Sequence, residues 1–175
     1  MDSWLTLALP GAVAYASSLL GDRGRGQDVV QDCVCRLLGH AARYDLPRDG
    51  RKLLFRSITN ACLNLNTREH HTQSLDQRGR DRSDDESPLE IADVTAADPA
   101  DLVMANELRE AIAAGLQTLP LRQRSALELA SLGYSIAEIA EMLELRADHV
   151  RVLLSRARQS LAALLNAKFT EGFVT

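Results

Sequence analysis

The sequence predicts an all-α protein built of two small helical domains joined by a flexible acidic linker. Apolar residues recur at spacings of three and four along most of the chain, and no strand-like alternation competes with them. This periodicity breaks between residues 71 and 99, where charged residues and two prolines accumulate. Residues 119–165 then predict two short helices, a tight connection and a longer basic helix. We therefore expect helical domains at 1–70 and 100–175, the second a helix-turn-helix (winged-helix-like) domain, with the linker at 71–99.

Composition narrows the class of protein. A chain of 175 residues has room for one or two small domains with modest cores. No apolar run is long enough to span a bilayer, no signal peptide is evident, and three cysteines do not make a disulfide framework. The net charge of −4 arises in the middle of the chain, because residues 71–106 carry three basic and nine acidic groups. These features predict a cytoplasmic protein that does not insert into a membrane.

Three helices are predicted in the first domain. Pro10 is placed to open the first helix, which ends at residues 21–22, and residues 24–26 read as a turn. The second helix starts at Gln27, buries Val30, Cys33, Leu37 and Ala41, and turns a compact polar patch outward. Residues 44–50 have the Pro, Asp and Gly content of a loop, and a third helix follows from about residue 51 to residue 68. That third helix buries Leu54, Ile58, Ala61 and Leu65, and leaves Arg56, Thr59, Asn60 and Asn64 on its surface.

The second domain carries clear signals for its helix boundaries. A helix from about residue 100 turns Leu102, Leu108, Ile112 and Leu116 inward and stops before Pro120. Ser135 and Glu138 form a capping box at the start of a short helix, and Asp148 can cap the next one after a turn at residues 145–147. The last helix buries Val150, Leu153, Leu154, Ala157 and Leu161, and its opposite side carries Asp148, Arg151, Val152, Ser155 and Gln159 with Arg156 and Arg158 on the flanks. A face of short and basic side chains suits the DNA major groove, whereas the alternative is an ordinary solvated helix face.

Three stretches resemble, in the same order, bacterial sigma factors of the extracytoplasmic-function group within the sigma-70 superfamily. GQDVVQDCVCRLL is similar to the acidic helix that docks on the polymerase clamp in that family. YDLPRDG and the following KLLFRSITNACLNLNTR look like the segment that opens and reads the −10 element. LREAIAAGLQTLPLRQRSALELASLGYSIAEIAEMLE and the helix with SRARQSL look like the reader of the −35 element. The resemblance covers nearly the whole chain.

The resemblance implies a sigma factor that binds core RNA polymerase and directs promoter-specific initiation of transcription. Residues 1–70 would then be a region 2-like domain and residues 100–175 a region 4-like domain, with an anti-sigma factor as a further partner. It implies polymerase contacts at Asp28, Gln31, Asp32 and Arg36, −10 contacts at Tyr44, Arg56, Asn60, Asn64 and Arg68, and −35 contacts at Arg151, Val152, Ser155, Arg156, Arg158 and Gln159. Asn60 would contact a flipped base, while Arg56 and Arg68 would hold phosphates.

The sequence departs from the family at positions that matter for DNA. Leu53 stands where the family usually has a tryptophan, Ser57 stands at an isoleucine position, and Thr59 replaces a basic residue before Asn60. In the recognition helix, DHVRVL replaces the usual GTVKSR, which places Val152 to contact a thymine methyl group. We therefore expect the fold to follow the family more closely than the promoter sequence does.

Two other functions remain open from the sequence. One is a sigma-like decoy that binds an anti-sigma factor without initiating transcription, and the other is a plain helix-turn-helix regulator. An enzyme is not expected, because Cys33 and Cys35 point in different directions on a helix and the neighbouring His70 and His71 lack suitable partners. The sequence accordingly predicts no catalytic residue, no metal, no cofactor and no small-molecule substrate.

Overall fold

The computed structural model describes residues 3–73 and 99–170, and over these ranges the protein is entirely helical, as predicted. The helices are α1 (Ser3–Leu20), α2 (Arg23–Gly39), α3 (Leu46–Gln73), α4 (Pro99–Thr118), α5 (Leu121–Ser131), α6 (Ile136–Leu143) and α7 (Ala147–Thr170), with a short 3-10 turn at Ala41–Arg43 before α3. Most of the predicted linker, residues 74–98, lies outside the described residues. None of the described helices has both the length and the apolar character needed to cross a membrane.

Helices α1, α2 and α3 pack into one bundle around a core that includes Ala12, Tyr15, Val30, Cys33, Leu54, Phe55, Ile58 and Cys62. Gly26 lies at the crossing of α1 and α2, where a Cβ atom would come within 2.6 Å of the backbone nitrogen of Ser17. The two backbones therefore approach each other closely enough to require glycine. The prediction of a turn at residues 24–26 was wrong for this reason, since α2 begins at Arg23 behind the Asp22 N-cap.

Two other helix starts differ from the prediction. Pro10 lies inside α1, not at its start, and the helix continues on both sides because Ala8 and Ala12 are buried in the bundle. The predicted loop at 44–50 is mostly helical, because α3 begins at Leu46. Gly50 does not form a turn but allows the Trp4 ring to approach the α3 backbone, since a Cβ atom at this position would lie 2.7 Å from that ring. Gly50 therefore marks close packing of α3 against Trp4.

Three predicted orientations were also wrong. Ala41 is exposed in the 3-10 turn, and Leu108 on α4 is 43% exposed. Thr59 was expected on the surface of α3 but is fully buried. Its hydroxyl donates to the Phe55 carbonyl at 2.7 Å and so accepts from the Tyr15 hydroxyl at 2.8 Å. A basic side chain at this position would be buried, so Thr59 is a packing residue of this bundle.

Helices α4 to α7 form the second domain, in which α4, α5 and α6 all pack on α7. The predicted capping box is confirmed, with Ser135 N donating to Glu138 Oε2 at 2.8 Å and Glu138 N donating to Ser135 Oγ at 3.3 Å. Glu144 ends α6 in the left-handed conformation, at φ 55° and ψ 44°. The prediction that Asp148 caps α7 was wrong, because the helix begins at Ala147 and Asp148 lies within its first turn.

The two domains touch through the C-terminal end of α1. Arg124 on α5 donates to the Ser18 carbonyl at 2.7 Å, and the Gln117 amide donates to the same oxygen at 3.0 Å. A cation and an amide thus satisfy a free carbonyl at a helix C-terminus. The Ser18 hydroxyl donates to Glu128 Oε1 at 2.5 Å. This polar network spans the domain interface.

Aromatic side chains extend the same interface toward α3. The Phe55 ring packs against Tyr15 within its own domain and against Tyr134 of the second domain, with centroids 5.4 and 5.9 Å apart. Arg51 lies over Tyr134, 5.4 Å from the ring centroid, and donates to the Leu132 carbonyl at 3.2 Å. The buried apolar residues of both domains therefore form one continuous cluster. We refer to this packing of the two domains as the closed arrangement.

Candidate nucleic-acid interface

Three surfaces carry the residues that the sequence singled out. The first is the polar patch of α2, where Asp28, Gln31, Asp32 and Arg36 are all exposed. Their spacing of three and four places them on one side of the helix, opposite the buried residues. Arg36 Nε donates to the Asp32 carbonyl at 3.3 Å, which holds the guanidinium along the helix. The patch presents two carboxylates to solvent.

The second surface is a stripe on α3. Lys52, Arg56, Asn60, Asn64 and Arg68 occupy successive turns, at a spacing of four residues. Lys52, Arg56 and Asn60 are partly buried, and the last two are exposed. The structure thus brings four of the five predicted −10 residues onto one stripe with Lys52, which the sequence analysis did not single out. Tyr44, the fifth, precedes α3 and is 47% exposed.

In the closed arrangement α6 covers part of this α3 stripe. Lys52 Nζ lies 2.5 Å from Glu141 Oε2, and Arg56 Nη2 lies 3.2 Å from Glu144 Oε1. The bond from Lys52 lowers the pKa of Glu141 below its ordinary value. These two carboxylates of the helix-turn-helix therefore neutralise the basic end of the stripe.

Beyond the ion pairs, the stripe lines a polar cleft of about 370 Å³ between the domains. Asn60, Asn64 and Thr67 form the α3 wall, and Arg122 and Glu144 contribute polar groups from the other domain. Amides, a hydroxyl and a guanidinium can donate and accept hydrogen bonds along the edge of a nucleobase or a phosphate. The stripe therefore has suitable chemistry for nucleic acid, but its access depends on where α6 lies.

The third surface is the outer face of α7, which is open in the closed arrangement. Arg151, Val152, Ser155, Arg156, Arg158 and Gln159 are all exposed, as the helical wheel predicted. Asp148 Oδ1 lies 2.5 Å from Arg151 Nη1, one helical turn away. Arg158 borders a mainly apolar cleft with Ile112 and Leu161, so its guanidinium lies on the flank facing α4. The other predicted side chains of this face do not line that cleft, and their exposure leaves them accessible to a DNA groove.

Sequence reasoning missed the residues that join the domains. Arg124 uses both terminal nitrogens, donating to Gln117 Oε1 at 2.7 Å and to the Gln117 carbonyl at 2.8 Å besides Ser18. Glu128 is held by the Ser18 hydroxyl of the other domain. Both looked like ordinary surface charges at helical spacing. The packing of α1 on α5 buries Arg124 and partly buries Glu128, and no local motif signals it.

Burial raises the pKa of Glu128 to about 7, although the Ser18 hydrogen bond and the nearby Arg124 oppose the rise. The unfolded chain should ionise this group near 4.5, so the folded state loses stability as pH rises from about 4.5 to about 7 and loses no more above that window. The loss attributable to Glu128 should approach about 3 kcal/mol. Urea unfolding across this range should show it as a difference between the wild type and Glu128→Gln. A difference that does not vary with pH would contradict a buried, titrating Glu128.

The cysteines do not form a reactive group in the described residues. Cys33 and Cys62 are buried thiols, and burial raises the pKa of Cys62 to about 12. Cys35 is exposed on α2. Within the described ranges, no three His, Cys, Asp or Glu residues come together in a way that could hold a metal ion.

Comparison with known proteins agrees with the helical architecture. Residues 109–161 match the model of the family described as sigma-70, region 4. The structure resembles that of the sigma factor RpoE in complex with the anti-sigma factor NepR from Bartonella quintana, with a TM-score of 0.72 and 20% sequence identity. The alignment covers 93% of this chain and 94% of that one, so the fold is shared over nearly the full length. No curated protein matches the chain by sequence.

The matched segment contains the whole helix-turn-helix, including the capping box of α6 and the outer face of α7. The match agrees with the region 4-like domain that the sequence predicts in the second half of the chain. The second helical domain therefore contains a segment that matches sigma-70 region 4, and the chain shares its fold with a sigma factor over nearly its full length.

Proposed function

We propose that this protein is a sigma factor of the extracytoplasmic-function group, which binds core RNA polymerase and directs initiation from specific promoters. The observation that carries the proposal is the match of residues 109–161 to region 4, together with the exposed polar and basic face of α7. In this role the protein acts in the cytoplasm by binding, without catalysis of its own.

Each surface has a task under this proposal. The acidic patch of α2 docks on polymerase, the α3 stripe contacts the −10 element, and the outer face of α7 lies in the major groove of the −35 element. Asn60 and Asn64 suit an unstacked base, and Arg56 and Arg68 suit the neighbouring phosphates. Arg151 suits a guanine, because its guanidinium can pair with two acceptors on the base edge.

In the closed arrangement the protein cannot contact the −10 and −35 elements at the same time. The −10 and −35 elements lie about 25 base pairs apart, which is roughly 85 Å of duplex. Helices α3 and α6 are in direct contact here, through Lys52–Glu141 and Arg56–Glu144. The two domains must therefore separate on the polymerase, and the chain between residues 73 and 99 must bridge them.

An anti-sigma factor is the further partner that we propose. The similar structure of RpoE is a complex with the anti-sigma factor NepR, and it aligns with 93% of this chain. A partner that prefers the closed arrangement would keep the protein away from promoters, since binding to one of two conformations shifts their populations.

The proposal is tested by reconstitution. The purified chain should bind core RNA polymerase and support run-off transcription from a subset of a randomised promoter library, with selected sequences at both elements. Core polymerase alone and polymerase with the Arg151→Ala variant serve as controls. Failure to bind polymerase would overturn the proposed function.

One observation favours a second candidate, a sigma-like decoy. In the closed arrangement α6 covers the basic end of the α3 stripe, and Leu53 stands where the family usually has a tryptophan. A decoy would bind polymerase or an anti-sigma factor and yield no promoter-dependent transcript anywhere in the library. The same reconstitution therefore separates the two functions.

A further inference from the structure

The contact between α6 and α3 combines ion pairs across the domain interface with an unusual backbone conformation at Glu144. Glu141 of α6 and Glu144 at its C-terminal cap pair with Lys52 and Arg56 of the other domain. Arg56 also lies 4.0 Å from Glu141, so its guanidinium is near both carboxylates. The two acids thus meet the two cations at the positions where the α3 stripe would receive nucleic-acid phosphates.

The backbone at Glu144 adds an independent observation. Among the described residues it is the only non-glycine with positive φ, at 55°. Its N–H bonds back to the Ala140 and Glu141 carbonyls, and Leu145 N donates to the Ala140 carbonyl at 2.9 Å, which is the helix ending that glycine normally provides. Glu144 therefore places a full side chain at a position whose left-handed backbone conformation favours glycine. The described partner of that side chain is Arg56, which lies in the other domain.

We infer that Glu141 and Glu144 form an intramolecular clamp that takes the place of nucleic-acid phosphates on the α3 stripe. This inference rests on the proposed function, because it requires that the stripe binds DNA. Closing the clamp neutralises Lys52 and Arg56 and narrows the approach to Asn60 and Asn64, which line the cleft behind it. Single-stranded DNA and α6 therefore compete for the α3 stripe. The clamp covers this stripe and leaves the outer face of α7 open.

The two ion pairs of the clamp are individually weak. The Glu141 and Glu144 side chains are 56% and 67% exposed, so solvent and salt weaken both pairs. A segment of DNA offers several phosphates where α6 offers two carboxylates. When the binding-competent form is a minor population, the apparent dissociation constant rises in proportion. Loss of the clamp should therefore tighten DNA binding without any new contact to DNA.

The experiment measures binding of a short fluorescein-labelled single-stranded oligonucleotide of random sequence by anisotropy, using the full chain. Glu141→Gln with Glu144→Gln should tighten binding roughly three- to tenfold. The matched control is Glu107→Gln with Glu110→Gln, which removes the same charge from the exposed face of α4. The control should change the affinity by less than the clamp variant does, since it alters only the overall charge.

A second variant separates the clamp from folding. Glu144→Gly relieves the left-handed residue, so it should melt no lower than the wild type and still bind the oligonucleotide more tightly. Equal affinities for the wild type, the clamp variants and the α4 control, or no detectable binding by any of them, would overturn the clamp. If the clamp variants tighten DNA binding but polymerase yields no transcript with any variant, the clamp stands and the proposed function fails.

Discussion

Replacing Asp28 and Asp32 together by lysine should weaken binding to core RNA polymerase at least about a hundredfold. The two carboxylates lie one turn apart on the exposed side of α2. Under the proposed function they dock on polymerase, and fixed negative charge favours a basic docking surface there. Reversal turns two attractions into two repulsions, and like charges placed together at an interface cost several kcal/mol. Each 1.4 kcal/mol is a tenfold change in affinity. Titration of labelled protein with core polymerase measures the effect.

The fold should survive this change. α2 is held by Val30, Cys33 and Leu37, which lie on the opposite side of the helix and are buried. The Asp32 carbonyl that accepts from Arg36 is retained in the variant. Glu107→Lys with Glu110→Lys provides the same charge change on α4 and should leave polymerase affinity close to that of the wild type. Equal losses in the two variants would mean that net charge, and not the α2 patch, governs docking.

The helix-turn-helix was predictable from the sequence because its signals are local. Ser135 and Glu138 lie three residues apart and cap one helix, and the faces of α7 separate on a simple helical wheel. Such features are fixed by a few neighbouring residues. They do not depend on what the rest of the chain does, so the structure reproduces them.

The first domain shows where local signals mislead. Gly26 and Gly50 were interpreted as turn residues, but each marks a place where another group approaches the helix, Ser17 in one case and the Trp4 ring in the other. Thr59 looked like a surface substitution for a basic residue and is buried against Tyr15. A glycine in a helical sequence can mean close packing as well as a turn, and only the partner helix decides between them.

The closed arrangement was beyond prediction for a different reason. Lys52 and Arg56 are spaced like any solvated pair on a helix, and so are Glu141 and Glu144. Nearly ninety positions separate each cation from its acidic partner, and neither short pattern predicts that it will pair with the other. The strained residue Glu144 has an equally plain sequence context. Charge complementarity between distant helices becomes visible only when the fold brings them together.

Replacing Arg151 by alanine should weaken binding of the protein–polymerase complex to the −35 duplex by about 1–3 kcal/mol, and should relax the base preference at one position. Arg151 lies in the middle of the exposed face of α7, and Asp148 holds its Nη1 at 2.5 Å. A guanidinium has five donors, so this ion pair leaves enough of them for the two acceptors of a guanine. Competition with a library of duplexes randomised at the −35 element measures both affinity and preference.

Arg156→Ala is the matched control, because this arginine is exposed on the same helix but on its flank. It should weaken all duplexes alike and reduce the slope of log affinity against log salt by about one. The two variants thus separate a base contact from a phosphate contact by different observables. If Arg151→Ala also changed only the salt slope and left the preferred sequence intact, Arg151 would be a phosphate contact. Selectivity would then rest on the remaining side chains of this face, of which Val152 is 44% exposed and suited to a thymine methyl group.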